Sequence, residues 1–95
     1  MTKPVTILAF LRHRIDRDEW DARRYGADEA GHSVARAVRE ATVKRVVVSD
    51  FVARVDRILD SQDLVCLDDV PGYRAIQYLA AVYADHPDYQ EAWRP

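Results

Sequence analysis

Ninety-five residues, 48% of them apolar and 32% charged, with a net charge of −2, fit one soluble globular domain with one modest core. That balance excludes a disordered chain, and no apolar run approaches the ~18 residues of a membrane span. A single cysteine, Cys66, excludes an internal disulfide, and no secretory signal pattern is visible, so a reduced, cytoplasmic protein is expected.

The small net charge hides an uneven distribution. Residues 1–47 carry ten basic and seven acidic groups, whereas residues 48–95 carry four and nine. Either the two halves fold against each other and their charges complement, or the first half offers a basic face to an acidic partner.

The first helix is predicted over residues 4–25. Pro4 suits a first turn, where its missing N–H leaves no bond unmade. Ile7, Leu8, Phe10, Leu11 and Ile15 form an apolar face at helical spacing. Arg12 and Asp16, Arg14 and Asp18, Arg17 and Asp21, and Glu19 and Arg23 line the opposite side as oppositely charged pairs four apart. Trp20 and Tyr25 are read as extending the apolar face towards Gly26, the expected stop.

The second helix, predicted over residues 28–60, organises the rest. Val34, Val38, Ala41, Arg45, Val48, Val52, Val55 and Leu59 alternate spacings of four and three, and only Arg45 is polar. Val47, Phe51 and Ile58 widen the stripe beyond a coiled-coil seam. The β-branched run Val46 to Val48 favours a strand locally, but the long period decides for a helix. Asp28 is the preferred N-cap, with Ser33 as the alternative. Arg45 either packs its stem and sends its guanidinium to solvent, or pairs with a carboxylate of the first helix or across a dimer.

Leu64 to Leu67 is wholly apolar, as an extended plug or a short helical turn, and Cys66 within it is expected to be buried and inert. Asp68, Asp69, Pro71 and Gly72 form a turn before a third helix over residues 72–84. Pro87 interrupts it and opens a short helix over residues 87–93. The expected fold is all-α: three helices around one long central helix, plus a short C-terminal helix, as a single domain over residues 1–95.

Chemistry-bearing motifs are sparse. The only glycines are Gly26, Gly31 and Gly72, so no phosphate-cradling loop exists, and neither the zinc nor the hydrolase spacings occur. No cofactor and no metal are expected. His13, His32 and His86 with nearby aspartates support a metal-dependent enzyme only as a third reading. Arg23, Arg24, Arg36 and Arg39 supply the second reading, a small nucleic-acid-associated regulator.

The tail is the most distinctive stretch. Tyr89 and Trp93 lie four apart and Arg94 follows, so the aromatics either clasp the core or, with Arg94, form partner contacts, since Trp, Tyr and Arg dominate interface hot spots. Ala9-Phe10-Leu11-Arg12, followed by Asp16, Asp18 and Glu19, together with Tyr83-Ala84-Asp85-His86-Pro87-Asp88-Tyr89 and the closing Trp93-Arg94-Pro95, resembles a family of short actinobacterial proteins of unknown function. Arg39-Glu40 and Lys44-Arg45 fit its middle, whereas Thr42 stands where an acid is usual. The resemblance implies an actinobacterial source, consistent with twelve arginines against two lysines, and no activity.

The leading expectation is therefore a non-catalytic helical module that binds a protein partner or itself as a homodimer. Tyr89, Trp93 and Arg94 are its expected partner contacts, and Val48, Val52, Val55 and Leu59 its core or dimer seam.

Overall fold

Thr6 opens the first helix by accepting the Ala9 N–H on its hydroxyl at 3.1 Å. The structure, a computed structural model, describes residues 6–26, 33–63 and 65–95. Helix α1 runs Ile7–Tyr25 and ends on Gly26, whose φ of 81° is the left-handed geometry a glycine closes without strain. The expected first turn at Pro4 lies outside the described residues.

Helix α2 runs Val34–Leu59, about 39 Å at a rise of ~1.5 Å per residue. Its N-cap is Ser33, which accepts the Arg36 N–H at 3.3 Å. The preferred cap, Asp28, lies outside the described residues. Val46 to Val48 are helical throughout, because the burial of Val48 and the packing of Val47 against the core outweigh what β-branching withholds.

Helix α3 runs Tyr73–Ala81, three residues shorter than the predicted end at Ala84. Beyond it the chain tightens into bonds of shorter reach, Tyr83 N–H to Ala80 C=O and His86 N–H to Tyr83 C=O, both at 2.9 Å. Pro87 keeps the helix from resuming, since its ring disfavours helical geometry at His86. The predicted C-terminal α-helix over residues 87–93 is corrected to a single 3-10 turn, Glu91–Trp93. A second 3-10 turn, Leu67–Asp69, precedes α3. Gly72 stands between that turn and α3 at a φ of 96°, and a Cβ there would meet the Arg54 guanidinium.

The core lies where the three helices meet. Ile7, Leu11 and Ile15 of α1 pack with Ala41, Val48, Phe51 and Val55 of α2 and with Ile76 and Ala80 of α3. Among the described residues no strand occurs, and the all-α class holds. Two sequence expectations fail on sidedness. Trp20 and Tyr25 do not extend the core face but are exposed; Trp20 sits off the stripe made by Leu11, Ile15 and Ala22, on the solvent side of α1. Cys66 is also exposed. It occupies extended backbone between Val65 and Leu67, which turn towards the core, and alternation then sends the residue between them outward. Its thiol is pushed up mainly by the hydrogen bond to Asp68 at 2.7 Å, the inert direction expected for it.

Candidate functional site

Polar bridges cross the helix interfaces. On one side of α2, Arg45 donates from Nη2 to Asp16 Oδ1 at 2.8 Å and from Nη1 to Glu19 Oε1 at 3.2 Å. The hydrogen bond to Asp16, then that to Glu19, raises the guanidinium above its already high ordinary pKa. The break in the α2 stripe is thus the pairing with α1, not a snorkelling side chain. Replacing Arg45 with leucine is expected to lower stability by about 1 kcal/mol, the range of a small exposed ion-pair network. An unchanged urea midpoint would show that the two contacts contribute nothing.

On the other side, Lys44 donates from Nζ to the Tyr83 hydroxyl at 3.1 Å, and Tyr83 donates onward to Asp18 Oδ2 at 2.7 Å. This chain joins α1, α2 and the turn after α3. Burial first, and the bond to Asp18 second, push the Tyr83 phenol well above its ordinary range. Of the helix-surface pairs expected on α1, Arg17 meets Asp21 at 3.2 Å and Arg23 meets Glu19 at 3.7 Å.

The tail closes over α1 as a clasp. Phe10 is its hub: its ring centroid lies 5.0 Å from Trp93, 5.6 Å from His86, and 6.2 Å from both Tyr83 and Tyr89. Trp93 is only 6% exposed and Tyr89 is half-buried against the core. Of the expected partner contacts, only Arg94 faces solvent, held by Glu91 at 2.7 Å. The expected α2 seam divides: Val48 and Val55 are core and Val52 is half-buried against it, whereas Leu59 is exposed.

Among the described residues, neither His13 nor His86 belongs to a converging group of three ligand-type side chains. His13 and His86 border one cleft of about 300 Å³ with Arg14 and Asp88. Nε2 of His86 faces the Arg14 guanidinium at 3.1 Å, and Nδ1 accepts the Asp88 N–H at 3.1 Å. With Nδ1 accepting from the backbone, the neutral ring carries its proton on Nε2, so neither nitrogen offers a free lone pair to an ion. His32 lies outside the described residues. Among those described, the ligand-type groups that converge are Cys66, Asp68 and Asp69, all exposed.

The four candidate nucleic-acid arginines are dispersed. Arg23 is held by Glu19, Arg36 by Glu40 at 2.9 Å, and Arg24 stacks over Trp20 at 5.4 Å, while Arg39 is exposed on α2. Trp20 is also covered by Arg17 at 4.7 Å and meets Tyr25 edge-on at 5.9 Å. This exposed arginine–aromatic cluster at the end of α1 escaped the sequence reading, although the spacing of Arg17, Trp20 and Arg24 by three and four was visible.

Sequence reasoning also passed over the outer side of α2. Val43 and Val46 are 63% and 55% exposed, and Tyr78 of α3 and Val82 just beyond its end are exposed too. Among the described residues, then, Arg45, Lys44 and Tyr83 meet polar partners between elements, the Tyr89 hydroxyl is buried without one, and Val43 and Val46 present apolar surface.

A family model matches residues 4–95, and its description is a family of unknown function, DUF6221. No curated protein and no solved structure matches the chain.

Proposed function

We propose that this chain, which belongs to the family of unknown function DUF6221, is a non-catalytic helical interaction module that associates with itself. The observation that carries this reading is the exposed apolar surface of Val43 and Val46 on α2, with Tyr78 on α3 and Val82 just after it also exposed. Val43 and Val46 stand side by side on one helix face, three residues apart, and an apolar surface of that kind marks where another protein docks. The buried or bridged groups, Arg45 with Asp16, Tyr83 with Asp18 and His86 with Arg14, act as links between elements and support no reaction. Among the described residues no helix is long and apolar enough to cross a membrane. We assign the module to the cytoplasm of an actinobacterium, on its single cysteine and its arginine-rich composition.

Sedimentation equilibrium of the purified protein across a hundredfold concentration range tests the reading. The expected result is a mass that rises from one chain towards two. A single-chain mass throughout would overturn self-association.

A second reading, a nucleic-acid-associated regulator, draws on the stacked Arg17, Trp20, Arg24 and Tyr25. Exposed aromatics flanked by arginine are what single-stranded bases stack on. Quenching of tryptophan fluorescence by an oligonucleotide, with an affinity that falls steeply with salt, would favour it over the first.

A further inference from the structure

Resting on the self-association reading, we infer that the outer face of α2 pairs antiparallel with the same face of a second copy of this chain. Arg39, Val43, Val46 and Asp50 follow one another at spacings of four, three and four, so they form one stripe along α2. All four are exposed. They lie on the side opposite Ala41, Val48 and Val55, which belong to the core, so the copy meets them without disturbing the monomer.

The sequence of the stripe selects both orientation and register. A twofold axis midway between Val43 and Val46 sets each Val43 against the partner's Val46. The same axis sets each Arg39 against the partner's Asp50, and symmetry repeats that ion pair at the other end. A parallel pairing in register would instead stack Arg39 on Arg39 and Asp50 on Asp50. Among the described residues neither Arg39 nor Asp50 makes a side-chain hydrogen bond or an ion pair within the chain. Both charges are therefore available to a partner. In the same register Ala53 falls opposite the long side chain of Arg36 and leaves it room.

Lys44 meets Tyr83 and Phe51 meets Tyr73, so α3 runs antiparallel beside α2 and leaves the outer stripe exposed. A surface of this size is small against the ~800 Å² per partner of a standard interface, and the equilibrium is expected to be reversible and concentration-dependent.

The test is a charge swap read by sedimentation equilibrium, with thermal melts confirming that each exposed substitution leaves the fold intact. Arg39→Asp alone and Asp50→Arg alone each replace two attractions with two repulsions. Each exposed pair contributes modestly, but with two attractions turned to repulsions each single variant is expected to weaken the dimer about tenfold. The double variant restores the wild-type dissociation constant. If the wild type dimerises and the single swaps leave its curve unchanged, the dimer uses another face; this inference falls and self-association stands. If the wild type stays a single chain at every concentration, both fall.

Discussion

Replacing Trp93 with alanine is expected to destabilise the protein by about 3–5 kcal/mol, the range for truncating a buried aromatic side chain. The indole is 6% exposed although it stands in the last three residues of the sequence. Its ring packs on Phe10 at 5.0 Å and meets Tyr89 edge-on at 5.7 Å. Without it, Phe10 loses its nearest aromatic neighbour, and the hub that also holds His86, Tyr83 and Tyr89 is opened to water. The stability of a small domain is only ~5–15 kcal/mol, so one side chain at the tail holds a large share of it. Urea unfolding of the variant is the measurement. Arg94→Ala is the control from the same segment, since the Arg94–Glu91 pair is a surface contact that raises the guanidinium and lowers the carboxyl without touching the core. A Trp93→Ala midpoint as high as that of the control would mean that the tail is not a clasp, and would return it to the role of a docking segment.

The long helix was legible because a pattern sustained over eight positions has one periodic explanation. Its start was not, because Asp28 and Ser33 are both good caps and nothing local separates them. The final turn failed for a related reason: Tyr89 and Trp93 at a spacing of four fit an α-helix, yet both rings also reach Phe10 from a bend at Pro87 and a 3-10 turn. Sidedness was the harder problem. Trp20, Tyr25 and Cys66 are residue types that usually lie inside, and only their position relative to the stripe or the extended segment shows that they point out. The bridges were beyond reach altogether, because Asp18 and Tyr83 are 65 residues apart and Lys44 and Tyr83 are 39 apart. No local rule pairs them. The outer stripe of α2 was present in the sequence, but the run from Val46 to Val48 serves two faces at once. The inner face, with more apolar matches, masked the outer one.

Raising the pH above about 10, the ordinary value of a tyrosine, is expected to weaken the fold through Tyr83. Burial, and then the hydrogen bond to Asp18, raise its phenol pKa in the native state. The unfolded chain releases its proton near the ordinary value, while the native state still holds it. The native state therefore binds more protons in that window, so stability falls as pH rises. Below about 10 both states are protonated and the contribution of Tyr83 is complete. Burial raises Tyr73 in the same direction, and it adds to the loss. The physical picture agrees with the sign: a phenolate at Tyr83 would face Asp18 Oδ2 across 2.7 Å with no proton between them. Tyr83→Phe separates this group from the rest of the alkaline titration. At neutral pH the variant is expected to be less stable by about 1 kcal/mol, the worth of a typical hydrogen bond, because Lys44 and Asp18 lose their shared partner. Between pH 9 and 11.5, roughly the window in which an unfolded phenol titrates, its urea midpoint is expected to fall less steeply than that of the wild type. Parallel slopes in the two proteins would show that Tyr83 is not the group whose proton the fold retains.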